Sequence, residues 1–121
     1  MKIALLLLTT FLFPATEARA AAPADAQGEI SHLLTFVGES GCKFNRNGSW
    51  YDSKAAEDHL RQKYEYLEKK DRIHSAEDFI GKAATKSSQS GEPYQIQCGD
   101  GAAESSHDWL SDELARYRDN H

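Results

Sequence analysis

Cysteine is scarce in this chain: there are two in 121 residues, Cys42 and Cys98, and no C-x-x-C. That spacing excludes a thioredoxin-type redox motif, and two thiols alone do not complete a zinc site. Positive charge is also in short supply. Lys and Arg number 14 against 19 Asp and Glu, for a net charge of −5, which argues against sequence-independent nucleic-acid binding. Beyond Phe13 no apolar run is long enough to cross a bilayer. The length leaves no room for a Rossmann, TIM-barrel or α/β-hydrolase architecture. The five histidines, His32, His59, His74, His107 and His121, include no H-x-x-x-H pair. There is no G-x-S-x-G and no glycine-rich phosphate loop. These gaps leave no metal or cofactor to expect.

What is present begins with an export signal. Lys2 gives a positive start, Ile3 to Phe13 is almost wholly apolar, and Ala18-Arg19-Ala20 places small residues where a signal peptidase reads. Residues 1–20 are therefore expected to be a signal peptide cleaved near Ala20; the alternative is an uncleaved N-terminal anchor. Residues 21–28 read as a disordered leader and 29–121 as a single domain. Cleavage would remove Lys2, Glu17 and Arg19, leaving 12 basic and 18 acidic residues. In an exported chain, one cysteine pair most simply forms one disulfide, Cys42–Cys98. Its ends are 56 positions apart, and closing such a loop stabilises by about 4 kcal/mol in the chain-entropy account.

The patterning predicts seven elements in the order α-β-β-α-α-β-α. Ile30, Leu33, Leu34 and Val37 form one helical stripe, which Gly41 ends. Asn47-Gly48 between Phe44 and Trp50-Tyr51 is a hairpin signal, with Phe44 meeting Trp50 or Tyr51 across the strands. Ser53 is a candidate cap for a second helix with Ala56, Leu60, Tyr64 and Leu67 on its inner side. Ser75 with Asp78 marks the start of a third, and Ile73 with Phe79 suits a hydrophobic staple. Residues 93–98 alternate as a strand, with Tyr94, Ile96 and Cys98 on the core side. Residues 99–106 read as a polar loop. Ser106 then caps a last helix carrying Trp109, Leu110, Leu114 and Tyr117. The expected fold is α+β: four helices packed around a two- or three-stranded antiparallel sheet.

Four segments in this order resemble the DUF5329 family: residues 44–48 (FNRNG), 59–64 (HLRQKY), 72–80 (RIHSAEDFI) and 87–94 (SSQSGEPY). The similarity spans roughly residues 29–118. It implies a small, exported, periplasmic protein of one domain. It brings no catalytic residues, because none is established for the family.

Much of these motifs has a structural explanation as turn, cap or core. The polar remainder does not. Arg46, Asn47, His59, Lys63, Ser88 and Ser90 are therefore the candidate ligand- or partner-binding residues. His59 and Lys63 are four apart and share a helix face; with Arg46 from the hairpin tip they could receive a carboxylate or phosphate. The competing reading makes Arg46, Arg72, Glu77 and Asp78 a salt-bridge network tethering hairpin to helix. Ser40-Gly41-Cys42-Lys43 matches S-x-x-K only literally, since Ser40 ends a helix instead of opening one. Three functions are then weighed. The first is a non-catalytic binding or adaptor protein, its partner another envelope protein or a small anionic ligand. The second is an inhibitor or immunity protein against a secreted toxin or cell-wall hydrolase, its acidity steering it to a basic enzyme. The third is a small envelope hydrolase, which needs a serine or carboxylate meeting His59 or His74.

Overall fold

A computed structural model describes residues 24–121 and, before them, only residues 4 and 10. The expected signal peptide thus falls outside the described residues, those two apart. Helix α1 spans Ala24–Glu39, with Ile30, Leu33, Leu34 and Val37 fully inside. Residues 24–28, read from sequence as leader, are its opening turns. Ala24 and Ala26 are strong helix formers, Asp25 sits in the first turn where the helix dipole favours an anion, and Ala26 is buried. These gains outweigh Gly28, whose Cβ position opens onto empty space.

The chain leaves α1 through Gly41 and enters the hairpin β1 (Lys43–Arg46) and β2 (Ser49–Tyr51). Asn47 and Gly48 take φ of 54° and 81°, the paired positive values that a two-residue hairpin turn requires. The register sets Phe44 opposite Tyr51 and Asn45 opposite Trp50. Tyr51 therefore shares the inward side of Phe44, while Trp50 faces out and is 45 % exposed.

Helix α2 (Ser53–Lys69) is capped by Asp52, whose Oδ1 accepts the Ala55 N–H at 2.8 Å. Ser53, the expected cap, instead donates its hydroxyl to the Gly38 carbonyl at 3.2 Å. The two helices approach so closely here that a Cβ on Gly38 would collide with the Glu57 side chain. Ala56 and Leu60 are buried, with Tyr64 and Leu67 packed at the margin. Helix α3 (Ala76–Ala83) follows Ser75, whose Oγ accepts the Asp78 N–H at 3.0 Å. The Asp78 carboxylate in turn accepts the His74 N–H at 2.9 Å. Ile73 and Phe79 are both inside the core.

Strand β3 (Gln95–Gln97) pairs with β1, Ile96 opposite Phe44. A further strand, β4 (Glu104–Ser105), pairs with β3 within the stretch read as loop. The sheet order is β2-β1-β3-β4, antiparallel throughout. Helix α4 (Ser106–Asp119) is capped by Ser105, one residue before the expected cap, and Ser106 itself is buried. The fold is α+β, with the elements in the predicted order and one two-residue strand added.

Cys42 and Cys98 are bonded, joining the approach to β1 to the end of β3. Cys42 is buried but Cys98 is exposed. Strand alternation stops at Gln97, and Gly99, at φ 58°, begins a turn, so Cys98 does not continue the core side as predicted. Arg118 of α4 donates to Glu29 of α1 at 2.6 and 2.9 Å and also pairs with Glu77 of α3. No helix among the described residues is long and apolar enough to cross a membrane.

Candidate functional site

Five of the six candidate residues line one cleft of about 420 Å³: Arg46, Asn47, His59, Lys63 and Ser88. Three elements build it. The hairpin brings Arg46 and Asn47, the helical spacing of α2 brings His59 and Lys63, and the loop after α3 brings Ser88. Ser90, the sixth, donates its hydroxyl to Asn47 Oδ1 at 2.5 Å, fastening loop to hairpin tip.

The loop holds itself in shape. Ser87 is buried, and its Oγ accepts the N–H groups of Gln89 and Ser90 at 3.2 and 3.3 Å. Its backbone N–H donates to the Glu92 carbonyl, and its own carbonyl accepts from Gly91. A serine tied in this way is a turn element, not a nucleophile.

Tyr94 is a cleft neighbour that sequence reasoning placed only in the core. Its ring is buried, yet its hydroxyl lies 3.2 Å from Lys63 Nζ and 3.3 Å from His59 Nε2. The polar end of an otherwise apolar side chain was the signal. An ammonium can only donate, so Lys63 donates to the Tyr94 oxygen, which also pairs with His59 Nε2. Lys63 also donates to the Lys86 carbonyl at 3.1 Å. Tyr51, likewise not singled out, carries Arg46 over its ring at 4.5 Å.

The electrostatics have one sign. Burial, then the charges of Arg46 and Lys63, pull the His59 imidazole down to about 4. Burial and Arg46 also lower Lys63. Burial raises Tyr94, against the pull of Arg46. No Asp or Glu is among the residues lining this cleft, so two cations converge there without a counter-ion among the described residues. Beneath them lies an apolar hollow of about 30 Å³ bounded by Phe44, Ala55, Ala56 and Leu60.

The salt-bridge network proposed from sequence does not form. Glu77 pairs with Arg118, Asp78 with Lys82 at 3.7 Å, and Arg46 stacks on Tyr51. Among the described residues, neither His59 nor His74 hydrogen-bonds a serine: His59 faces Tyr94, and His74 Nε2 meets the Asp71 carbonyl at 2.9 Å. Nor do the described residues contain three or more His, Cys, Asp or Glu grouped to hold a metal ion.

The sequence matches the family described as "Family of unknown function (DUF5329)" over residues 24–118. No curated protein and no solved structure matches it.

Proposed function

The chain belongs to the DUF5329 family, and on that footing we propose that it is a non-catalytic, periplasmic binding protein whose cleft takes a carboxylate or phosphate group. The observation that carries this reading is the convergence of Arg46 and Lys63 on a cleft lined by no acid. Such an arrangement is unfavourable when empty, because each cation lowers the comfort of the other and burial adds to the cost. An anion relieves both. Arg46 offers a planar fork for two oxygens, Lys63 a point charge, and Ser88 a hydroxyl.

A binding role is favoured over hydrolysis because the His59 ring nitrogen that would serve as base is engaged by Tyr94. The inhibitor reading draws on net acidity, whereas this cleft is cationic. Calorimetric titration of the purified protein with inorganic phosphate and with acetate tests the proposal. Arg46→Ala and Lys63→Ala should each weaken binding about 10-fold or more, the worth of one charge-assisted contact. Unchanged affinity in the double variant would overturn it.

A further inference from the structure

The anion cleft does not end at Lys63. It opens into two neighbouring hollows, and Ser88 lines all three. Along one wall, α2 presents His59, Gln62, Lys63, Tyr66 and Leu67. Their spacing of i, i+3, i+4, i+7, i+8 is a single helix face. Eight residues at about 1.5 Å each make this wall about 12 Å long. The far end is lined by Arg72, Lys82 and Lys86.

Charge along this path is strongly segregated. In a protein of net charge −5, the residues lining the three hollows include five cations and no Asp or Glu. Lys82 is partly answered by Asp78 at 3.7 Å. The Arg72 and Lys86 side chains make no ion pair among the described residues. The uncharged polar lining includes Ser88, Gln62, Gln89 and Asn47, beside Leu67, Tyr51 and Tyr94. Tyr66, 62 % exposed, offers a ring beside it, with Lys70 Nζ 5.7 Å from its centroid.

We infer that this groove binds an acidic oligosaccharide, with one anionic group on Arg46 and Lys63 and a later one on Arg72 and Lys86. The inference rests on the anion-binding reading of the cleft and extends it. A single small anion engages one end only, and leaves the distal cations unanswered. A chain with charges at intervals answers both ends at once. A sugar chain suits the remainder of the lining. Its own uncharged groups are hydroxyls, which amides and serine hydroxyls can meet, and its ring faces can lie on Tyr66. An acidic peptide would instead present a backbone needing a long strand edge or a run of apolar pockets; the edge strand β2, whose Tyr51 lines the cleft, is three residues long, and Leu67 is the one aliphatic side chain in the lining.

Galacturonic acid and its linear tetramer are the probes, titrated calorimetrically into the purified protein at low salt. The tetramer should bind at least about 10-fold tighter than the monomer, because its second charge binds intramolecularly. Arg72→Ala/Lys86→Ala should remove that gain, bringing tetramer affinity down towards that of the monomer for the wild type. Equal affinities of monomer and tetramer in the wild type would overturn the groove while leaving the cleft reading intact. Binding of phosphate with no binding of either uronate would overturn the sugar assignment. Tetraglutamate binding as tightly as the tetramer would do the same and point to an acidic protein segment. Failure of phosphate, acetate and uronate together would instead count against the cleft reading itself. Arg72 and Lys86 are exposed, so a circular dichroism melt matching the wild type confirms that the variant is folded.

Discussion

The Ser90 hydroxyl donates to Asn47 Oδ1 across 43 positions of sequence. It ties the serine loop to the hairpin tip beside the cleft. Ser90→Ala should therefore loosen two segments at once. Amide exchange at Gly48 and Gln89 should quicken, and phosphate affinity should fall several-fold. Global stability should drop by less than about 1 kcal/mol, since both partners are exposed and find water when parted. Exchange mass spectrometry with a parallel denaturant melt reads both.

His59 gives the pH dependence its sign. Folding pulls its imidazole from 6.5 to about 4. Between those values the unfolded chain binds a proton that the folded chain refuses. Stability from this group is thus complete above about 6.5 and lost as pH falls towards 4. Glu57, Glu77 and Glu113, all held below the ordinary carboxylate range by their partners, also lose stability on acidification. The comparison with His59→Gln isolates the histidine. Wild type should lose more stability than the variant between pH 6.5 and 4. An NMR titration of His59 should show a midpoint near 4, and Arg46→Ala should move it upward.

Reduction of Cys42–Cys98 should cost about 4 kcal/mol, since the 56-position loop is long. For a domain of this size that is about 15 °C or more in Tm. Cys98 is an exposed residue, whereas Cys42 is buried. A melt with and without reductant measures it.

The two tryptophans should respond unequally. Trp109 is stacked on Phe36 at 4.5 Å between ring centroids and meets the Phe44 ring edge-on at 5.7 Å. Trp109→Ala should cost about 3 kcal/mol. Trp50, 45 % exposed, should cost less than about 0.5 kcal/mol on the same substitution, as surface positions do. Urea unfolding of the two variants decides this.

Local chemistry made several features legible in the sequence. Asn47-Gly48 announces its turn because few other pairs accept two positive φ values. Ser75 with Asp78 announces a cap because each meets a backbone N–H at a fixed offset. The remaining features depended on competition between neighbours. Asp52-Ser53 and Ser105-Ser106 each offer two caps one residue apart, and the structure takes the earlier. Glu104-Ser105 has no period of its own and becomes a strand only because β3 lies beside it. Trp50 or Tyr51 could have faced Phe44, and the turn's register settled it. Of the polar residues left over by the scaffold, Arg46, Asn47, His59, Lys63 and Ser88 line one cleft. Its geometry hinges on the Tyr94 hydroxyl, which the apolar pattern of its strand concealed.

The sheet ends in strands of three and two residues, β2 and β4. Short edges of this kind give a foreign strand almost no ladder to extend. The consequence reaches beyond solubility. A partner cannot dock by lengthening the sheet, so recognition must be written in side chains. In this protein the densest such text is the cationic path from Arg46 to Arg72.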